Sequence, residues 1–495
     1  MRVSKSRRNP TPTIRPAQHL PAIHAHACGI DLGSREHFVC VPADAVPEGQ
    51  SPVRSFGVFN PQLDQLVEWL KQCGVTTVAL ESTGVLWIPL FQKLEAAGME
   101  AVLVNTKKLK HVPGRKSDVL DCQWLQQLHS YGLLSGSFRP QDAICQMRTY
   151  MRQRDSLVKR AAEDTQHMQK VLAEMGVHLY VVLGDITGVT GLAIIDAILS
   201  GQRDPEELVK LRDYRIRRST VEQMKDALRG DWREEHLFVL RQHRESYQHV
   251  QDQIRQLDLR LYGLLEQMAL ETEKKNLEPS VAGPVPTVEV PGAPNGVVSS
   301  DGSASSPPKR PVKRKAKAKG GNTPTLNFTP QLKSIYGTDL TQVPGLNVLG
   351  ALILLSEIGT DMSRWRGPDA FVSWLGLCPG VKISGGKKLG NKTPEVVNRV
   401  STLLRLAALV VGRTDTCLGS FYRRLQAKRG SPKAITATAR KLAELIYMLI
   451  KEGKQFKEPN RDQYEAKVIR YRLARLKKQA EQLGFELVAK EEVPA

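Results

Sequence analysis

Between residues 24 and 131, short apolar runs alternate with segments of helical period. HACGIDLG is an apolar run that ends at Asp31, and Gly33-Ser34 offers a hairpin turn into a second run, HFVCVPA. PVRSFGVF reads as a third strand. PQLDQLVEWLKQC then carries Leu63, Leu66, Val67 and Leu70 at helical spacing. VTTVALES is a strand that closes on Glu81, VLWIPLFQKLEAAG a helix, MEAVLVN a strand and SDVLDCQWLQQLHSYG a helix. The order βββ-α-β-α-β-α predicts a mixed sheet with helices on its faces, the order of a ribonuclease H-like fold.

Past this block the pattern is helical. Residues 141–176 read as one long helix that carries Arg148, Arg152, Arg154, Lys159 and Arg160. Over 232–272, Leu240, Tyr247, Ile254, Leu261 and Met268 recur every seven residues, with Val250, Leu257 and Leu264 at the companion position. That is the seam of a coiled coil, which pairs with the 141–176 helix or with another subunit. The 180–230 segment between them is punctuated by glycine, then helical, and its role is obscure from sequence. The predicted organisation is a flexible basic arm (1–23), a mixed-sheet domain (24–140), a helical and coiled-coil region (141–273) and a linker (274–327). A helical domain (328–455) and a charged helical tail (456–495) follow.

The linker changes the picture through its composition. Pro, Gly, Ser, Ala and Val dominate it, and KRPVKRKAKAK (309–319) holds seven basic residues in eleven. Such a segment cannot bury enough apolar surface to order itself, so it reads as a disordered basic tether. The whole chain of 495 residues carries 71 Lys and Arg against 51 Asp and Glu, a formal charge of +20. That excess points to a polyanionic partner, with nucleic acid first. The seven cysteines are scattered without a CxxC pair, which argues against a zinc ribbon or a disulfide framework. Apolar runs such as Val348–Leu355 and Leu406–Val411 are too short to span a bilayer, and no apolar segment follows the basic N-terminus as a signal peptide would require. The sequence therefore predicts no membrane association and a cytoplasmic location.

Four carboxylates stand out. Asp31 and Glu81 close two strands that are neighbours in a ribonuclease H-like sheet, so both reach one end of it. Asp118 and Asp121 are three apart on a helix and share a face. Four converging carboxylates repel one another unless cations lie between them, and hard oxygen donors favour Mg²⁺ or Mn²⁺. Two such ions can clamp the attacking and leaving oxygens of a phosphodiester. Taken singly, each acid fits a cap or a solvated face; the set, in this strand order and in a basic protein, favours a metal site. Arg115 and Lys116 precede the Asp pair and can hold a phosphate, or simply lie in a solvated loop. His37, His111 and His129 lack metal-ligand spacing and read as surface or packing residues.

The C-terminal domain offers two more features. In LTQVPGLNVLGALILLSEIG, Pro344-Gly345 separates two helical segments, and such a turn can aim backbone N–H groups at a phosphate or merely end a helix. VKISGGKKLGNKTP (381–394) reads as a loop in which Gly385 and Gly386 permit close backbone approach and Lys387 and Lys388 supply charge. Thr393 and Pro394 read as the cap and first residue of the next helix. Ser384 opens that loop. No histidine lies within forty residues of it to take its proton, so from the residues alone a plain phosphate-binding loop is the better reading.

GIDLGS (29–34), LESTG (80–84), GRKSDVLD (114–121), VPGL (343–346) and LGLCPGVKISGGKKLG (375–390) occur in this order. As an ordered set they resemble the transposases of the insertion-sequence-110 family, including its 1111 branch, known as DEDD transposases and as bridge-RNA-guided recombinases. The resemblance covers about 24–275 and 328–455. It implies a RuvC-like N-terminal domain, a coiled-coil middle and a helical C-terminal transposase domain. The family's four acidic positions fall on Asp31, Glu81, Asp118 and Asp121, and its serine nucleophile on Ser384. It further implies Mg²⁺ or Mn²⁺ and a composite site with the serine of one subunit and the acids of another; the coiled coil suggests a dimer or tetramer. The partners it implies are element-end and target DNA and a structured guide RNA that pairs with both. The 274–327 linker and the 180–230 segment depart from compact members of the family.

Three other readings fit parts of the sequence. A RuvC-like nuclease would use metal-activated water and leave Ser384 idle. An actin- or sugar-kinase-like ATPase would use IDLGS and GDITGVTG (184–191) as phosphate loops, but leaves the four carboxylates and the +20 charge without a role. A catalytically silent RNA-binding scaffold would need the basic surface and none of the acids.

Overall fold

The computed structural model describes residues 21–82, 84–105, 118–277, 323–380, 382–385, 387–390, 393–394, 398–458 and 461–487. The basic arm and most of the linker lie outside these residues. The chain divides into two compact units, 1–139 and 140–495.

In the first unit the strands are β1 (Ala27–Leu32), β2 (Glu36–Cys40), β3 (Val53–Gly57), β4 (Thr77–Glu81) and β5 (Glu100–Val104). The helices are α1 (Asn60–Gln72), α2 (Trp87–Ala96) and α3 (Asp118–Ser130). The strand order is β3-β2-β1-β4-β5. β2 runs antiparallel to β1 and β3, while β1, β4 and β5 are parallel. This is the expected mixed sheet, and it is consistent with a RuvC-like fold. Helices cover both faces. Ile30, Leu32, Val39, Leu66, Leu70, Leu80 and Leu94 form the core on one side. Ala79, Val104 and Leu125, the last on α3, form a smaller one on the other.

His37 and His129 are packing residues, as expected. His37 is buried, and its Nδ1 has no protein partner among the described residues. His129 is 3% exposed, hydrogen-bonds Thr77 Oγ1 at 2.9 Å and stacks on His24 at 5.1 Å. Burial, and then the neighbouring His24, push the His129 imidazole down to about 4 from 6.5. The fold thus accepts only the neutral ring, while the unfolded chain takes up a proton near 6.5. Stability contributed here is complete above about pH 6.5 and falls as pH drops toward 4, by about 3 kcal/mol. Melting temperature measured across this range should show that acid limb, and His129→Phe should flatten it. Parallel limbs in the two proteins would contradict this.

In the second unit, α4 (Asp142–Glu174) and α9 (Glu234–Leu277) form a long antiparallel hairpin. Arg154 donates to Asp258 at 2.6 Å with both side chains buried, and Ser246 donates to Asp164 at 2.8 Å. Breaking a buried pair strands a charge, so Arg154–Asp258 pins the hairpin register. The heptad positions Leu240, Tyr247, Val250, Ile254 and Leu261 are buried, and those up to Ile254 share a core with Leu157, Met168 and Leu172 of α4 in the same chain. Beyond Leu261 the buried positions become Leu265 and Ala269 instead of Leu264 and Met268. A straight helix drifts against a seven-residue repeat, and here α9 turns its new face toward α10 (Thr329–Tyr336). The 180–230 segment is a lobe of four short helices, α5 (Leu179–Val182), α6 (Val189–Leu199), α7 (Pro205–Lys210) and α8 (Val221–Ala227). Its Ile194, Ile195, Ile198, Leu208 and Met224 join the hairpin core.

The C-terminal helices are α11 (Val348–Ile358), α12 (Pro368–Trp374), α13 (Arg399–Val411), α14 (Cys417–Arg429), α15 (Ser431–Glu452) and α16 (Arg461–Gln482). Tyr447 on α15 is fully buried and donates to the Trp365 carbonyl at 3.0 Å. Among the described residues no helix is long and apolar enough to cross a membrane.

Candidate active site

Asp31 is the fifth residue of β1 and Glu81 the last of β4. These strands are parallel neighbours, with Gly29 opposite Ala79 and Ile30 opposite Leu80. Side chains alternate along a strand, so Asp31 and Glu81 share the face that carries Gly29 and Ala79. Both are half-buried at its C-terminal edge.

Helix α3 crosses that face. Its last residue accepts from the backbone of Ile23 and His24, just before β1, and Gln126 donates to the Ala27 carbonyl at 3.3 Å. The helix therefore runs antiparallel to β1, and its first turn, with Asp118 and Asp121, lies toward the Asp31 end. The Cys122 thiol, on this helix, donates to the Val119 carbonyl at 3.1 Å. It is pushed up first by its hydrogen bond with Cys40, then by burial, and further by the charges of Cys40 and Asp31. Asp121 is exposed. The Asp118 side chain, Arg115, Lys116 and His111 lie outside the described residues. Among the described residues, no group of three or more His, Cys, Asp and Glu is placed to hold an ion.

Gly29 is the residue that sequence reasoning missed. A Cβ built there would lie 2.2 Å from the Gln126 amide nitrogen and 2.5 Å from the Cys122 carbonyl oxygen. Only glycine lets α3 settle this close to β1, and a glycine inside an apolar strand was the available signal. Gly29→Val should force α3 off the sheet and lower stability by about 3 kcal/mol. Thermal unfolding checks this; a variant as stable as the parent would contradict it.

In the second unit, 381–394 is not the open loop expected. Lys382–Ser384 (β6) pairs antiparallel with Lys387–Gly390 (β7), with Ser384 opposite Lys387. Gly385 takes a positive φ of 54°, as a two-residue hairpin turn demands. Ser384 thus ends a strand immediately before a Gly-Gly turn. Gly386 and the side chains of Ser384, Lys387 and Lys388 lie outside the described residues. Thr393 and Pro394 do not start the next helix. α13 begins at Arg399, because the Asn398 side chain accepts from the amides of Val400 and Ser401.

Gly345 also has a positive φ, 84°. A Cβ there would come within 2.6 Å of the Ala407 carbonyl, so the close approach this glycine permits is to α13. Asn347 then caps α11 through the Gly350 amide at 2.8 Å.

Two stretches of the chain match family models. Residues 28–177 match the model of the DEDD transposases of IS110 elements, described as a transposase. Residues 337–423 match the transposase IS116/IS110/IS902 family. The first stretch holds all four acidic positions and the second holds Gly345 and the 382–390 hairpin; residues 178–336 lie in neither. No curated protein matches the chain.

Proposed function

The chain belongs to the IS110 family of transposases, and from that premise we propose that it cuts and rejoins DNA by transesterification at a serine. The observation that carries this reading is the meeting of Asp31 and Glu81 on one face of adjacent parallel strands, with the Asp118–Asp121 turn of α3 directed to the same edge. Asp31, Glu81, Asp118 and Asp121 would hold Mg²⁺ or Mn²⁺, and an all-carboxylate oxygen set suits those hard ions. When bound, the cation stabilises charge that develops on the phosphate oxygens.

The Ser384 oxygen attacks the scissile phosphorus, its proton passes to solvent or a carboxylate, and the sugar oxygen leaves. The resulting phosphoserine diester keeps the bond energy, so a second sugar hydroxyl displaces serine and restores the backbone without ATP. Ser384 is the last strand residue before the Gly385-Gly386 turn, and glycines beside it leave room for a bulky phosphodiester. Gly385, Gly386, Lys387 and Lys388, with Arg115 and Lys116, would bind the phosphates. Gly345 belongs to the same set by motif, its packing against α13 notwithstanding. The acting form is a homo-oligomer, dimer or tetramer, in which one subunit's serine serves another's acids. A structured RNA selects the DNA partners. The domain limits set out above, with a RuvC-like catalytic domain over 24–140 and a serine domain over 328–455, are part of this reading.

Joining of element-end and target DNA by the purified protein tests it. Joining should require divalent metal and rise at least about tenfold when RNA from the element's non-coding end is added. Joining that is indifferent to that RNA would remove the guide from the account.

A further inference from the structure

The lobe of 180–230 lies outside both family matches, and its outer surface has a chemistry of its own. Residues 210–218, KLRDYRIRR, hold five basic residues and one acid. The loop is built rather than loose. The Arg212 guanidinium donates to the carbonyls of Ile216 and Ser219, and the Ser219 hydroxyl donates to the Val182 carbonyl at 3.1 Å. The Asp213 amide donates to the Thr190 hydroxyl at the start of α6 at 3.1 Å. The residues next to that last bond, Tyr214 and Val189, are each 87% exposed. Arg215 is held by Asp213 through both carboxylate oxygens, and its guanidinium lies over the Tyr214 ring, 5.7 Å from the ring centre. Arg217 and Arg218 are exposed and make no ion pair among the described residues.

A rigid loop that holds an aromatic face in water between arginines suits one kind of partner. An unpaired base stacks on the ring and its phosphates meet the guanidinium groups. A base inside a duplex has both faces covered and cannot use the ring. Strand exchange by a DNA transposase unpairs bases at the crossover. We propose that the 211–219 loop is a binding platform for single-stranded DNA, with Tyr214 as the stacking residue and Arg217 and Arg218 as phosphate contacts. This rests on the chain's acting on DNA, and not on Ser384 or the metal.

The test is binding of the full chain, in chelator, to a thymidine oligonucleotide of about 20 nucleotides and to a duplex of the same length. Tyr214→Ala should weaken single-strand binding about tenfold and duplex binding less than about twofold, while Tyr214→Phe keeps the stack and the affinity. Arg217→Ala with Arg218→Ala should lower the slope of log affinity against log salt by about 1.4. An oligonucleotide carrying 5-iododeoxyuridine should photo-crosslink to the peptide that contains Tyr214. Equal losses for single strand and duplex, or crosslinks only elsewhere, would overturn the platform. A preference of tenfold or more, roughly 1.4 kcal/mol, for the matching ribo-oligonucleotide would overturn the DNA assignment in favour of RNA. Cleavage variants at Ser384 should bind normally, so failure here is distinguishable from failure of the serine reading.

Discussion

Asp31→Ala, Glu81→Ala, Asp118→Ala and Asp121→Ala, each made alone, should lower DNA cleavage by about 10²–10³-fold or more. The expectation follows from the shared face of β1 and β4 and the run of α3 toward it. Each acid neutralises part of a cation's charge, so losing one weakens the ion and leaves its neighbours repelling one another. Folding should survive, because Asp31 and Glu81 are half-buried at a strand edge and Asp121 is exposed; melting should move by about 1 kcal/mol or less. Chelator should reproduce the loss in the unaltered protein, and Mg²⁺ or Mn²⁺ should restore it. Full cleavage in chelator, or by Asp118→Ala, would contradict the metal site.

Ser384→Ala should lower strand joining by at least about 10⁴-fold and leave DNA binding within about twofold. The alanine removes the oxygen proposed to attack and leaves the β6–β7 ladder, which is made of backbone bonds. Ser384→Cys should keep a trace, because a thiolate is a good nucleophile but sulfur sits at a different distance from phosphorus. Mixing Asp31→Ala subunits with Ser384→Ala subunits should rescue part of the joining if the site is composite. Absence of rescue would place serine and acids in one chain. Continued nicking by Ser384→Ala would assign the attack to water.

The first unit was legible because its signals are local. Apolar runs of strand length, a Gly-Ser turn after Leu32 and a helical period over 63–70 each constrain a few residues, and the chirality of crossovers leaves few ways to assemble them. The positions of Glu81 at the end of β4 and of Asp31 one residue before the end of β1 were recognisable from their apolar runs. Gly29 was not, because its role depends on a helix nearly a hundred residues later that lies within van der Waals contact of it. The seven-residue repeat of 232–272 predicts a coiled-coil seam and leaves its partner open; α4 of the same chain packs on it up to Ile254, while Leu264 and Met268 fall outside the buried set. Past Leu261 the buried positions move to Leu265 and Ala269, as a straight helix drifts against a seven-residue repeat. The 381–394 segment misled for a different reason. Lys, Ser and Gly read as loop residues by composition, yet a two-residue Gly-Gly turn flanked by Lys-Ile-Ser and Lys-Lys-Leu is a hairpin signal. Thr393-Pro394 has the form of a helix start, but Asn398 caps two amides and takes that place.

The claim at the centre of this account is that a serine of the Gly-Gly hairpin becomes joined to DNA. Its most direct measurement incubates the purified protein with end-labelled element DNA and Mg²⁺, stops the reaction with denaturant and analyses the labelled species by gel and by peptide mass. The account predicts a denaturation-resistant protein–DNA adduct whose modified peptide contains Ser384, absent in Ser384→Ala and in chelator. Cleaved or joined DNA with no adduct, or an adduct on a different residue, would contradict it.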